Sequence, residues 1–160
     1  SQIMKLYCMR HCDALSSDID PECSLTDQGI QDAHKVADYL QHQHIHIPHV
    51  MHSGVKRAVQ TADIIAEVCG AEKVVESPQL LADLADVGPM VDMLESCGQS
   101  TLLVGHMPFM SKLVAALVMD ISDNAQLITF PPGTMACVKR FEGNLWMIDW
   151  VLKPENLGIN

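Results

Sequence analysis

The stretch Ile3-Met4-Lys5-Leu6-Tyr7-Cys8-Met9-Arg10-His11-Cys12-Asp13-Ala14 decides how the rest of the chain is read. Its first seven residues are mostly apolar or β-favouring, and they run directly into a polar, turn-rich stretch that lasts to Ser24. This predicts a buried strand over residues 3–9, with Arg10 and His11 at its mouth. A strand buried on both faces belongs in a parallel sheet covered by helices.

Further along, the pattern alternates between strand and helix. From Thr26 to Gln43, Ile30, Ala33, Val36, Ala37 and Leu40 recur at helical spacing, with Thr26 as N-cap and Asp27 in the first turn. A short strand over His49–Ser53 precedes a helix over Lys56–Cys69, which Gly70 stops. Lys73–Glu76 reads as a strand, Val87–Ser96 as a helix and Thr101–Val104 as a buried strand ended by Gly105. Pro108 suits the first turn of a helix reaching Met119, since its missing N–H has no intrahelical partner there. The tail changes rhythm: Ile128–Phe130, Thr134–Phe141 and Leu145–Leu152 read as strands, the last two joined by a hairpin turn at Gly143-Asn144. Trp146 and Trp150 fall on one face of the last strand, where packing in the core is the first expectation.

The expected architecture is α/β: a mostly parallel central sheet, helices on both faces and a C-terminal antiparallel hairpin, in one domain over residues 1–160. Ligands of such sheets bind at the carboxyl ends of the strands. Arg10 and His11, Arg57, and His106 each follow a predicted strand, so the topology can gather them at one rim.

Two guanidiniums in one pocket call for an anion, and their planar forks of donors suit a phosphoryl group. A neutral imidazole can attack phosphorus and form a phosphohistidine that water then hydrolyses. With arginines neutralising the oxygens, no metal or cofactor is required. His11 is the candidate nucleophile, and Arg10, Arg57 and His106 are the candidate phosphate-binding residues.

Met9-Arg10-His11-Cys12-Asp13-Ala14 resembles the R-H-G signature of the histidine phosphatase superfamily. Ser53-Gly54-Val55-Lys56-Arg57-Ala58-Val59-Gln60-Thr61 resembles its S-x-x-x-R-A-x-Q-T segment, Gly105-His106-Met107-Pro108 its G-H-x-P segment, and Leu25-Thr26-Asp27-Gln28-Gly29 its L-T-x-x-G helix start. Order and rough spacing hold along nearly the whole chain, which is most similar to the compact SixA-type phosphohistidine phosphatases. The resemblance implies a three-layer phosphoglycerate mutase-like fold and a catalytic set of His11, Arg10, Arg57 and His106. It also implies a carboxylate proton donor after the middle strand, for which Asp83 and Asp86 are the candidates. A short chain without a capping insertion suggests an open pocket. Such a pocket suits phosphohistidine on a partner protein, for example a histidine phosphotransfer domain, with small phosphoesters as the alternative substrate class.

The sequence departs from the signature at Cys12, which stands where the family has glycine. At a left-handed backbone position a cysteine would cost about 1 kcal/mol or more. Three outcomes stay open: a tolerant backbone, an inactive phosphate-binding module, or an activated, redox-sensitive thiol beside the arginines.

Other features exclude function classes. A net charge of −10, from 20 acids against 10 bases, argues against a nucleic-acid surface. No apolar run approaches the roughly 20 residues needed to span a bilayer. The first residues lack a secretory signal pattern, and the six cysteines form no C-x-x-C unit, so a cytoplasmic protein with free thiols is expected. His42, His44, His46, His49 and His52 invite a metal reading through H-x-H-x-H, but Pro48 interrupts them and a solvated loop is the stronger expectation.

Overall fold

The computed structural model describes residues 4–81, 86–119 and 127–157. In chain order the elements are β1 (Lys5–Arg10), α1 (Asp27–His42), β2 (His49–His52), α2 (Lys56–Cys69), β3 (Lys73–Glu76), α3 (Gly88–Glu95), β4 (Thr101–Gly105), α4 (Phe109–Met119), β5 (Met135–Arg140) and β6 (Trp146–Leu152). They form the expected α/β architecture. The sheet order is β3-β2-β4-β1-β5-β6, with the first four strands parallel and the last two antiparallel.

Alternation along the central strands builds two cores. Tyr7 and Met9 of β1 and Leu102 and Val104 of β4 pack with α1 and α2, whereas Leu6, Cys8 and Leu103 pack on the other face with α3 and α4. Every residue of β4 is buried, as a strand covered on both faces requires. The same alternation sends Arg10 towards the α3/α4 side, while Arg57 opens α2 on the opposite side. The two arginines therefore approach the strand ends from opposite faces of the sheet.

The helix ends follow their sequence signals. The Thr26 hydroxyl accepts the Gly29 N–H (2.9 Å), capping α1, and Gly70 ends α2 in a left-handed conformation. The buried stripe of α1 runs through Gly29, Ala33, Val36, Ala37 and Leu40. Ile30, expected on that stripe, is instead 37% exposed. Gly29 faces inward in its place because the loop from β1 crosses directly over it, leaving no room for a side chain.

The tail differs from expectation at two points. Ile128–Phe130 forms no strand: the Phe130 ring sinks into the α3/α4 core and its carbonyl accepts a bond from Arg10 Nη1 (2.9 Å) rather than joining a ladder. The two tryptophans do not share a face. Cys137 pairs with Trp150 but Val138 pairs with Ile148, so Asp149 is an extra residue, a bulge that reverses the alternation. Trp146 joins the α3/α4 core and Trp150 packs on the α1/α2 core. The bulged Asp149 lies between Lys5 (3.2 Å) and Lys139 (3.7 Å). The hairpin turn is as expected, with the Leu145 N–H donating to the Glu142 carbonyl around Gly143-Asn144. Among the described residues no helix is long and apolar enough to cross a membrane.

Gly29 gives a sharp test of how loop and helix fit. Glycine to alanine inside a helix ordinarily stabilises by roughly 0.5–1 kcal/mol. Here a Cβ would overlap the Asp13 carbonyl oxygen and lie 3.0 Å from its carbon. Gly29→Ala is expected to destabilise the protein by about 1–3 kcal/mol, as overpacking does, measured by urea unfolding. A gain in stability would contradict the close crossing.

Candidate active site

β1 delivers Arg10 and His11 to the rim through backbone bonds on both sides. The Arg10 N–H donates to the Thr134 carbonyl (3.0 Å) and the His11 N–H to the Gly105 carbonyl (3.1 Å). Gly133 closes over them: its N–H donates to the carbonyls of Arg10 (3.2 Å) and His11 (3.0 Å) at a φ of +85°. A side chain at Gly133 would meet Pro154 Cγ at 2.8 Å and Cys12 Sγ at 3.3 Å, so the close approach requires glycine.

The His11 ring is held at both nitrogens. Nδ1 lies 2.8 Å from the Cys12 carbonyl, and Arg57 Nε donates to Nε2 at 3.3 Å. A carbonyl only accepts and a guanidinium only donates, so Nδ1 carries the proton and Nε2 carries the lone pair. Burial, together with the charges of Arg57 and Arg10, lowers the pKa of His11 to about 4 despite the opposing Cys12 bond. His11 is therefore neutral at physiological pH, with its Nε2 lone pair beside Arg57.

His106 stands next to it, the ring centroids 5.1 Å apart. Its Nε2 is 2.7 Å from the Ser53 hydroxyl, which also accepts the Val55 N–H (3.3 Å). The hydroxyl keeps both a second lone pair and its own proton for Nε2, so either tautomer of His106 is held by this bond. Burial, then His11, Arg57 and Arg10, lower its pKa to about 4. Burial and Arg57 also lower the pKa of Arg10. His106 Nδ1 and Arg10 Nε are buried without a protein partner. Buried polar atoms without partners are costly unless a ligand meets them, and here two occur in one site.

Arg10, His11 and Arg57 line a cavity of about 330 Å³, with Asp13, Leu15, Cys23 and Pro132 among its walls. A larger cavity of about 450 Å³ lies at the opposite ends of the strands, lined by Met4, His44, His46 and Glu72, with no arginine to meet a phosphoryl group. The sequence-predicted set of Arg10, His11, Arg57 and His106 thus converges. Asp86 does not join it: its carboxylate accepts the Gly88 N–H (2.8 Å) at the start of α3 and lines a different cavity. Asp83 lies outside the described residues. Asp13 is the acid in the cavity wall, its carboxylate accepting the Thr26 hydroxyl (2.8 Å).

Cys12 is fully buried and does not adopt a positive φ. Its N–H donates to the Thr61 hydroxyl (3.0 Å), which in turn donates to the Arg57 carbonyl (2.9 Å). Burial raises the thiol pKa to about 12, the reverse of the activated thiol entertained from sequence. The side chain turns into the α1/α2 core, so neither a left-handed backbone nor a reactive thiolate arises.

Ser53 and Thr61 hydrogen-bond the candidate site and carry no signal of their own as residue types. Both lie inside the segment around Arg57, but only their bonds reveal what they hold. The histidine-rich region scatters: His42 bonds the Asp38 carbonyl, His46 the Cys69 carbonyl and Glu72, and His52 accepts the Gly54 N–H. Among the described residues no three metal-ligating side chains gather.

A buried neutral histidine between two guanidiniums, on the carboxyl edge of a mostly parallel sheet, defines a phosphoryl-handling enzyme. The chain belongs to the histidine phosphatase superfamily (branch 1), whose profile matches residues 6–86, and is a phosphatase by class. It is 27% identical to the phosphohistidine phosphatase SixA of Escherichia coli (strain K12), with 96% of each chain covered. The structure of the protein histidine phosphatase SixA complexed with tungstate matches with a TM-score of 0.84 at 27% identity, covering 97% of this chain and 100% of that one. A phosphoserine phosphatase mutant from Entamoeba histolytica in complex with phosphoserine shares the fold at 14% identity, with a TM-score of 0.70 over 96% of this chain and 99% of that one.

The depressed histidine pKa values have a sign that can be measured. A group whose folded pKa is lowered from 6.5 to about 4 leaves the unfolded chain binding more protons between those values. Stability from His11 and His106 is therefore present above pH 6.5 and is lost as pH falls towards 4. Unfolding free energy is expected to fall as pH drops from 6.5 towards 4, measured by urea unfolding across that range, with the imidazole NMR signals of His11 and His106 in the folded protein titrating well below pH 6.5. Either imidazole titrating at pH 6.5 or above would contradict neutral histidines in the free site.

Proposed function

We propose that the protein hydrolyses phosphohistidine on a partner protein through a covalent intermediate on His11. The observation that carries this reading is the fixed tautomer of His11, neutral, with the Nε2 lone pair beside Arg57. An incoming phosphoryl oxygen takes over the Arg57 donor and frees Nε2 for in-line attack. The Nε2–P bond forms as the bond from phosphorus to the substrate nitrogen breaks, and the imidazole leaves neutral if its other nitrogen is already protonated. Water then attacks phosphorus, releasing inorganic phosphate and restoring His11. Arg10, Arg57 and His106 stabilise the equatorial oxygens.

Two observations support phosphohistidine over phosphoesters, and a third supports a phosphoryl group of either origin. The only described acid in the cavity wall, Asp13, is engaged with Thr26, and an activated phosphoramidate depends less on a strong acid than an alkyl phosphate does. The similarity to a phosphohistidine phosphatase spans nearly the full length of both chains. Tungstate, a tetrahedral oxyanion, is a fitting stand-in for the transferred group in that relative.

Acid-labile labelling from a phosphohistidine protein is expected in the wild type and absent in His11→Ala. Arg57→Ala is expected to lower kcat by about 10²–10³, the usual effect of losing one preorganised donor. Label retained in His11→Ala would overturn the mechanism, and faster turnover of small phosphoesters than of phosphohistidine protein would overturn the substrate class.

A further inference from the structure

One wall of the His11 cavity is a loop between β1 and α1 that is tied down far more than exposed loops usually are. Its base is closed by the Ala14–Leu25 bridge and by the Leu15 N–H to the Ser24 carbonyl (2.8 Å). Inside it, the Asp20 carboxylate accepts the N–H groups of Glu22 (3.1 Å) and Ser24 (3.1 Å) as well as the Ser24 hydroxyl. Gln60 accepts the Leu25 N–H (2.9 Å) and Lys56 pairs with Glu22 (3.2 Å), anchoring the loop to α2, the helix that supplies Arg57. Leu15 and Cys23, on either side of the tip, line the cavity. At the tip Ile19 is 73% exposed, the most exposed of the large apolar side chains described.

Single exposed apolar residues are common on protein surfaces. Ile19 differs in what holds it: the bonds to Asp20 fix the backbone that carries it, so little ordering entropy is lost when a partner covers it. His11 is only 8% exposed. A phosphohistidine carries its phosphorus within one side-chain length of its own backbone, so a protein substrate must bring its surface down onto this rim to reach Nε2.

We propose that the loop over residues 14–25 is the docking element for the phosphorylated protein, with Ile19 as its apolar anchor. The inference rests on the phosphohistidine-protein reading above. The partner surface it fits carries apolar residues close to the phosphohistidine to receive Ile19. Basic side chains around them would meet Asp18, which is exposed beside Ile19. A free small phosphate monoester enters the cavity without touching the tip.

The test compares wild type, Ile19→Ser and Ile19→Leu on a phosphorylated histidine phosphotransfer domain and on p-nitrophenyl phosphate. Ile19→Ser is expected to raise KM for the phosphoprotein about tenfold, the loss typical of an interface anchor. Ile19→Leu should restore the wild-type KM, and turnover of the aryl phosphate should be equal in all three. An unchanged phosphoprotein KM in Ile19→Ser overturns the docking role. Equal losses on both substrates overturn it too, because Ile19 would then be supporting the cavity wall. If the wild type itself fails to dephosphorylate the phosphotransfer domain but turns over the aryl phosphate, the functional reading falls and this inference falls with it, a result distinct from either of the others.

Discussion

The His11 Nδ1–H donates to the carbonyl of the next residue, and the chemistry of the site depends on what that bond leaves over. With the proton committed to one nitrogen, the lone pair sits on the other, and Arg57 marks its direction. The carbonyl that receives the bond is itself fixed, because the Cys12 N–H is tied to Thr61 and the Cys12 side chain is packed in the core. A central strand, a core cysteine and a threonine on α2 together set the tautomer of one imidazole.

Electrostatics complete the arrangement. Burial, joined by the charge of two guanidiniums arriving from opposite faces of the sheet, keeps both histidines neutral. The free site therefore holds positive charge on the arginines and a lone pair on a neutral histidine between β1 and α2. A dianion relieves the repulsion between Arg10 and Arg57 and meets the Arg10 Nε–H, which has no protein partner. This local charge works within a chain of net charge −10, so attraction of the phosphoryl group is a property of the rim and not of the whole surface.

Much of this was legible in the sequence because the signals are local. Buried strands read as apolar runs, Thr26 and Gly70 mark helix ends through their own chemistry, and the residues after each strand end collect at one edge by topology. What escaped depends on backbone atoms and on irregularity. Phe130 matters to Arg10 through its carbonyl, which any residue type supplies, and the bulge at Asp149 reverses the face of Trp150 through one uncounted residue. Of the three outcomes open for Cys12, the structure shows a backbone that tolerates it, because backbone conformation, which a signature of residue types does not encode, turns the side chain into the core. Asp86 had the right chemistry but spends its carboxylate on the start of α3.

The most direct measurement is the position of phosphorus on the trapped phosphoenzyme, read from nitrogen–phosphorus coupling in protein labelled with ¹⁵N-histidine. Phosphorus bonded to Nε2 of His11 is the expected result, since Nδ1 is occupied by its bond to the Cys12 carbonyl. Phosphorus on Nδ1, or on any residue other than His11, would contradict the fixed tautomer from which the mechanism follows.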